Sequence, residues 1–488
     1  MKRALRPAAL ALLLGLALPA SALYVRLDGD RLTLRADRVP LRTILTEFSR
    51  LGVQVRADPA INPLITATCT DRDLQRALDE FITPHSFVLG WDVVKGPLRD
   101  IPRLTEFQLF QPGARERMQP LVAGADLRVV RGPDGVEYVA DQVLVAVKPG
   151  TTVEEFLKLV AALGGTVVGS AAQLGVYQIQ LQPGTDVRYV VGQLKQNALI
   201  EQAEPNYVTR LPAGARLSAD TPPAVPRLAR GQGAALAVLD SGLQAQDALA
   251  DTVAGSYDAV APSRAMSDPN GHGTQMALIA AGAIAPDGAG AVDQVGVPVL
   301  AVRAFDSEGR TSNDTLLRGL EYAIQNGARV VSLSWGSETS SDFIQQALNY
   351  AMSKGLVVVA AAGNEPTGQP VYPAAYPGVI AVSALQADGT RWPQSNYGEM
   401  VDVSAPGTAT FPVGHDGPPG SYAGTSIATA YVASQLAQYF AVHPTATREQ
   451  AIAALGGALH DAGTPGTDPY YGRGVLDAEG ATRLTATP

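Results

Sequence analysis

Residues 235–243 read ALAVLDSGL. The run Ala234–Leu239 is apolar throughout, with no polar alternation, as a strand buried on both faces requires, and it ends on Asp240 and a Ser241-Gly242 turn signal. Runs of the same kind recur at Pro298–Ala304, Arg329–Ser334, Leu356–Ala361 and Val379–Ser383. Helical spacing fills several of the intervals, as in Leu316–Ile324 and Phe343–Met352. The alternation predicts an α/β domain over residues 231–485: a doubly wound parallel sheet covered by helices on both faces. Functional groups of such a sheet gather at the carboxyl ends of its strands, where Asp240 stands.

Upstream, residues 211–230 (LPAGARLSADTPPAVPRLAR) are Pro- and Ala-rich, lack periodicity and read as a linker. Within 140–210, Val143, Val145 and Val147 alternate as on a strand, and Thr152 and Glu155 box the start of a helix carrying Phe156, Leu157, Val160 and Leu163. Strands near Thr166–Gly169 and Val176–Leu181, a helix with Val187, Val190, Val191 and Leu194, and a closing strand at Ile200–Ala203 complete strand–helix–strand twice over. That is the ferredoxin-like α+β pattern. Residues 113–139 form a joining region with a hairpin turn at Gly132-Pro133-Asp134-Gly135.

Residues 23–112 predict another small α+β domain. Leu32 and Leu34 alternate on a strand, and Leu41, Ile44, Leu45, Phe48 and Leu51 keep helical spacing behind Pro40. Strands at Val53–Val55 and Ile65–Cys69 follow. Thr70 with Asp73 reads as a capping box before Leu74, Ala77, Leu78 and Phe81, and strands at Phe87–Leu89 and Trp91–Val94 close the unit.

At 488 residues the chain exceeds one ordinary domain, and about three are expected. Its net charge is -9, with no basic cluster and no aromatic–basic interleaving, which excludes nucleic acid as a partner. Residues 1–22 read as a secretory signal peptide: Lys2, Arg3 and Arg6, then the apolar stretch Ala8–Leu18, then Ala20-Ser21-Ala22 for cleavage. An uncleaved anchor is the competing reading, but the apolar run falls short of the ~20 residues of a span. Once the signal is removed no transmembrane span is expected, and the protein belongs in the periplasm or outside the cell. Cys69 is the only cysteine, so no intrachain disulfide can form. It alternates with Ile65 and Ala67, which favours a buried structural thiol over a reactive one.

The chemistry lies in four segments: ALAVLDSGL around Asp240, DPNGHGTQMA around His272, VVVAAAGNE around Asn364 and YAGTSIATA around Ser426. Each has a plainer reading alone: a turn Asp, a structural His, a turn Asn, a helix-capping Ser. Together they supply a hydroxyl nucleophile, a base to take its proton, a carboxylate to orient the base and a donor for the oxyanion. His272 is flanked by glycines that leave room around its ring, a setting unlike that of His85, His415, His443 or His460. Ser426 opens a helical run through Phe440, so its own N–H and the helix dipole favour negative charge beside it.

LDSG, GHGT and GTS in this order resemble the subtilisin-like serine peptidases, the subtilases, over nearly all of 231–485. The Asp–His–Ser order is the one subtilisins themselves show. The resemblance implies Ser426 as nucleophile, His272 as general base then acid, Asp240 as orienting carboxylate, and Asn364 with the Ser426 N–H as oxyanion hole. It also implies Ser334, Trp335 and Gly336 of VVSLSWG as the substrate-pairing edge, and Ala361, Ala362 and Gly363 as the other wall of the specificity pocket. QVLVAVKPGTT and IEQAEPNYV resemble the two ends of subtilase propeptides, which implies a zymogen. RLTLRADRVPLRTILTEFSRLGVQVRADP resembles the short N-terminal domain of secretins and TonB-dependent receptors, which implies a cell-envelope protein partner.

The sequence also departs from the family pattern. Gln275 stands where the family usually has His, Ile427 and Ala430 replace the Met and Pro of its GTSMATP, and Trp335 replaces a smaller residue, either restricting a subsite or simply packing. The chemistry requires no cofactor. The metal assignment is unknown: Asp287 and Asp293 are the acidic loop residues available to a structural calcium, though such residues are ordinarily just solvated. The expected partners are protein or peptide substrates and the chain's own propeptide. The rival reading is an inert subtilase-like binding or signalling protein of the envelope.

Overall fold

The computed structural model describes residues 23–486 apart from 122–126, 223, 263 and 291–294; the signal segment 1–22 lies outside the described residues. Among the described residues two compact units result, one within Met1–Val93 and Pro102–Gly124, the other within Val94–Ile101 and Ala125–Pro488.

In the first unit, Leu23–Asp28, Arg31–Pro40 and Leu64–Asp73 form an antiparallel sheet. Ser86–Val94, Ile101–Phe110, Gln54–Ala57 and Gln119–Pro120 form a second sheet. Both share one core with helices Leu41–Arg50 and Leu74–Ile82, built on Leu34, Ile44, Phe48, Leu78 and Phe107. Cys69 packs half-buried against it. Pro40 does precede the first helix. The box expected at Thr70 does not form: Thr70 stays in its strand, and Asp73 caps the helix by accepting from the Arg76 N–H at 2.9 Å. The two short strands read at Phe87–Leu89 and Trp91–Val94 are one continuous strand, because Gly90 between them keeps the extended backbone.

In the second unit, Thr166–Ala171, Val176–Gln180, Glu137–Val147 and Ile200–Arg210 lie side by side in that order, all antiparallel, with helices Val153–Ala162 and Val187–Lys195. This is the ferredoxin-like arrangement. The Thr152–Glu155 capping box is present in both directions. Val129–Arg131 extends the sheet through the expected hairpin turn.

The rest of this unit is built on a seven-stranded sheet: Val253–Asp258, Val299–Arg303, Ala235–Asp240, Ala328–Leu333, Val357–Ala361, Ile380–Leu385 and Val403–Pro406, parallel throughout. The period of two sends adjacent residues to opposite layers. Leu236, Val238 and Val330 pack with helices His272–Ala280 and Thr425–Val442; Ala237, Leu239 and Val331 pack with Asn313–Gln325 and Asp342–Ser353. A buried Val or Leu contributes roughly 1.5–3 kcal/mol, so two such layers supply the stability that a disulfide cannot. The five apolar runs are the five inner strands. The edge strand Val253–Asp258 escapes the sequence reading because it is largely half-exposed and carries no apolar run.

Candidate active site

Asp240 is the last residue of a central strand, and His272 is the first residue of a helix. The approach between them is close. Gly271 has φ +91°, and a Cβ there would lie 1.9 Å from the Gly414 carbonyl oxygen; one on Gly273 would lie 2.4 Å from that of Gly242. Only glycine at both flanks lets the imidazole reach the strand end. His272 Nδ1 and Asp240 Oδ1 are 2.7 Å apart, both side chains buried, and Oδ1 also accepts the Ser241 N–H at 2.7 Å. Burial disfavours the imidazolium, but the charge and hydrogen bond of Asp240, with Asp268 and Asp416 behind it, outweigh burial and hold the pKa of His272 above its ordinary value.

Ser426 is the second residue of its helix and is buried. Its hydroxyl donates to the Ser334 carbonyl at 3.1 Å, and the Ser334 hydroxyl donates back to the Ser426 carbonyl at 3.3 Å. Asn364 Oδ1 accepts from the N–H and the hydroxyl of Thr425, at 3.0 and 2.8 Å. The amide is thereby oriented by its oxygen, which leaves Nδ2 as its donor beside Ser426. Ile427 is buried in the core behind the serine.

The linker occupies the space between these groups. Val208–Arg210 pairs antiparallel with Arg310–Ser312, and the Leu211 N–H donates to Gly309 at 2.8 Å. Ala215–Ser218 pairs antiparallel with Gly420–Ala423. Between the two ladders, Pro212–Ala215 line one pocket together with His272, Asn364 and Ser426. The backbone ladder therefore lies on Arg310–Ser312, a segment the sequence reading passes over, while the Ser334 carbonyl is taken by the serine hydroxyl. Trp335 packs, being 3% exposed. Its Nε1 donates to the Leu239 carbonyl at 3.0 Å, and it lines one pocket together with Val208. Gly336 lies against Val371; Ala361 ends the neighbouring strand and Ala362 and Gly363 follow it, with Gly363 at φ +108°.

Two further contacts seat the ferredoxin-like domain. The Glu204 carboxylate accepts from the Ser341 hydroxyl and the Asp342 N–H, both at 2.7 Å, at the start of helix Asp342–Ser353. Asn206 Nδ2 donates to Asp314 at 2.7 Å, and its oxygen accepts the Asp314 N–H at 3.2 Å, at the start of Asn313–Gln325. Both satisfy N–H groups that a helix start leaves open.

Sequence reasoning misses two residues here. Asp268 is buried and accepts from Ser241 Oγ, the N–H groups of Gly271 and Thr274, and Thr274 Oγ1, at 2.6–2.8 Å. Its signal was an Asp preceding a Gly-rich helix start. His415 packs its ring 4.6 Å from that of His272; its one local signal is Gly414 before it, and Asp416 rather than glycine follows. Gln275 donates to the Val413 carbonyl at 2.8 Å. Asp287 accepts from Thr408 at 3.0 Å, and Asp293 lies outside the described residues. Among the described residues there is no group of three or more His, Cys, Asp or Glu side chains placed to hold a metal ion, and no helix long and apolar enough to cross a membrane.

A parallel α/β sheet with a buried Asp–His pair, a helix-start serine and an oriented amide defines the class of serine peptidases with the Asp–His–Ser order. Comparison narrows it. The subtilase family model matches residues 231–474, and the fervidolysin N-terminal prodomain model matches 124–206. The chain belongs to the subtilase family. Thermitase of Thermoactinomyces vulgaris is 34% identical over 42% of this chain and 74% of its own length, and subtilisin of Bacillus pumilus 33% identical over 52% and 92%. The minor extracellular protease Epr of Bacillus subtilis is 34% identical over 50% of this chain; the chain spans 38% of Epr's length. Among solved structures, fervidolysin of Fervidobacterium pennivorans, a keratinolytic enzyme related to subtilisin, aligns with a TM-score of 0.60 and 25% identity, covering 75% of this chain and 64% of that one. The prodomain match begins at residue 124, ahead of the Val129–Arg131 strand that extends the same sheet.

Proposed function

We propose that this chain is an exported serine endopeptidase, made as a zymogen that cuts its own linker. The observation that carries the reading is the linker itself, held as an extended strand on both sides of the Ser426 pocket. Backbone pairing of this kind binds a substrate largely without regard to sequence. In the reaction, the Ser426 hydroxyl turns from the Ser334 carbonyl toward His272 Nε2 and gives up its proton. Its oxygen attacks the substrate carbonyl carbon, and the oxyanion is held by Asn364 Nδ2 and the Ser426 N–H. His272 passes the proton to the departing amine as the C–N bond breaks. Water then hydrolyses the acyl ester by the same base. No cofactor enters these steps, and a structural calcium ion is not needed for them. A fluorophosphonate probe tests the assignment: labelling of wild type but not of Ser426→Ala is expected, and an unlabelled wild type would favour the inert binding protein.

The organisation we read is a signal peptide at 1–22, an adaptor at 23–112, a joining region at 113–139 whose hairpin strand belongs with the following sheet, a prodomain at 140–210, a linker at 211–230 and the peptidase at 231–485. The adaptor is proposed to bind a cell-envelope protein. Its resemblance to secretin and receptor domains supports this, as does a core of its own. Deleting 23–112 should spare hydrolysis of a short peptide and abolish recovery of the partner by crosslinking. An unchanged set of crosslinked partners would refute it.

A further inference from the structure

The loop 413–416 is tied to the segment that carries His272 at three points. Gln275 Nε2 donates to the Val413 carbonyl at 2.8 Å, Asn270 Nδ2 donates to Asp416 Oδ1 at 2.7 Å, and Gly271 approaches Gly414 so closely that no Cβ fits between them. The Tyr422 hydroxyl accepts the His415 N–H at 3.2 Å from the far side. What these ties hold in place is one side chain. The His415 ring is 4% exposed and stands edge-on to that of His272, with centroids 4.6 Å apart and planes at 61°.

Among the described residues the imidazole's buried Nε2 finds no hydrogen-bond partner, although Asp416 Oδ2 lies 3.2 Å away. Burial, and then the neighbouring His272, push its pKa down to about 2 in the uncut chain. Among the described residues, the charged groups around the pair are Asp240, Asp268 and Asp416 on the side of His272 and Asp416 on the side of His415. A neutral ring whose buried Nε2 has no hydrogen bond acts through its shape.

We propose that His415 is a positioning residue for His272: its ring closes the side of the base left open by Asp240, fixes the tilt of the imidazole and keeps water from it. This rests on His272 being the base, and it adds a part that LDSG, GHGT and GTS do not contain. It also gives Gln275 a task, since that residue anchors the loop.

The test is steady-state hydrolysis of a short peptide substrate by the processed enzyme, with wild type, His415→Ala, His415→Phe and His415→Gln. Removing the ring frees the base to tilt, and kcat should fall about 10- to 100-fold, the scale of a small misplacement, with KM little changed. Water entering the hole relieves the burial that holds down the imidazolium, so the acid limb of kcat/KM should move to higher pH. Phe restores the shape without the nitrogens and should recover both the limb and most of kcat; Gln keeps polarity without the ring and should not. If His415→Ala does not fold, the comparison of Phe with Gln decides alone. A Phe variant no better than Gln, or an Ala variant with the wild-type limb and kcat, overturns the proposal while leaving the triad standing. A wild type without activity would instead remove the reading on which it rests.

Discussion

The oxyanion role proposed for Asn364 depends on how the side chain is held. With Oδ1 bound by Thr425, the amide cannot flip without breaking two hydrogen bonds, so Nδ2 stays ready for an oxyanion rather than for a ground-state carbonyl. Asn364→Ala should therefore lower kcat by about 10²–10³, the range seen when a subtilisin loses this donor, with KM nearly constant; an unchanged kcat removes Asn364 from the hole. As the proposed base, His272 would set the pH dependence. The base works only when neutral, and its pKa is raised, so at any pH near that value more of it is protonated than a free imidazole of ~6.5 would be. The acid limb of kcat/KM should consequently lie above that reference value, measured with chemistry rate-limiting. A limb at or below it contradicts the ion pair with Asp240. These residues were legible because short flanking motifs announce them. Asp268 and His415 were not, since what makes them matter is an approach between segments far apart in sequence: His415 and His272 meet only because two loops close on each other at Gly271 and Gly414.

Elements were legible where local chemistry and tertiary packing agree. Thr152 and Glu155 announce a helix start and form one. Thr70 and Asp73 carry a similar signal, but pairing with Leu32 and its neighbours extends the strand to Asp73 and displaces the cap. The apolar runs foretell strands buried on both faces, whereas Arg310–Ser312, only three residues long, has meaning only as the edge on which Val208–Arg210 lies. Helix starts are also where the prodomain is held. Glu204 reaches Ser341 and Asp342 across 137 and 138 residues of sequence, which no local pattern records. Hydrogen bonds to a charged group contribute about 1.5–3 kcal/mol, so Glu204→Ala should weaken the processed prodomain complex about 10- to 100-fold, read as activity regained on dilution. Unaltered retention of the prodomain would show that the strand pairing alone holds it.

At the scale of the whole peptidase and its prodomain, the proposed function makes one continuous chain both inhibitor and substrate. The last strand of the ferredoxin-like sheet leaves that sheet, pairs with Arg310–Ser312, crosses the Ser426 pocket and pairs again with Gly420–Ala423. Holding a peptide bond there replaces a bimolecular encounter by a fixed geometry. Cleavage would leave Val208–Arg210 still paired, so inhibition should outlast the cut. Sequence composition marked residues 211–230 as a linker but could not show where it runs, because Pro and Ala content says nothing about which surface the segment crosses. The central claim is that Ser426 cuts this segment in its own chain. N-terminal sequencing of the fragments from purified wild type, beside Ser426→Ala, tests it most directly. Two fragments with a new N-terminus in the linker between Val208 and Gly231, and a Ser426→Ala chain left intact after signal removal, are the predicted result; an active wild type that remains a single uncut chain would contradict it.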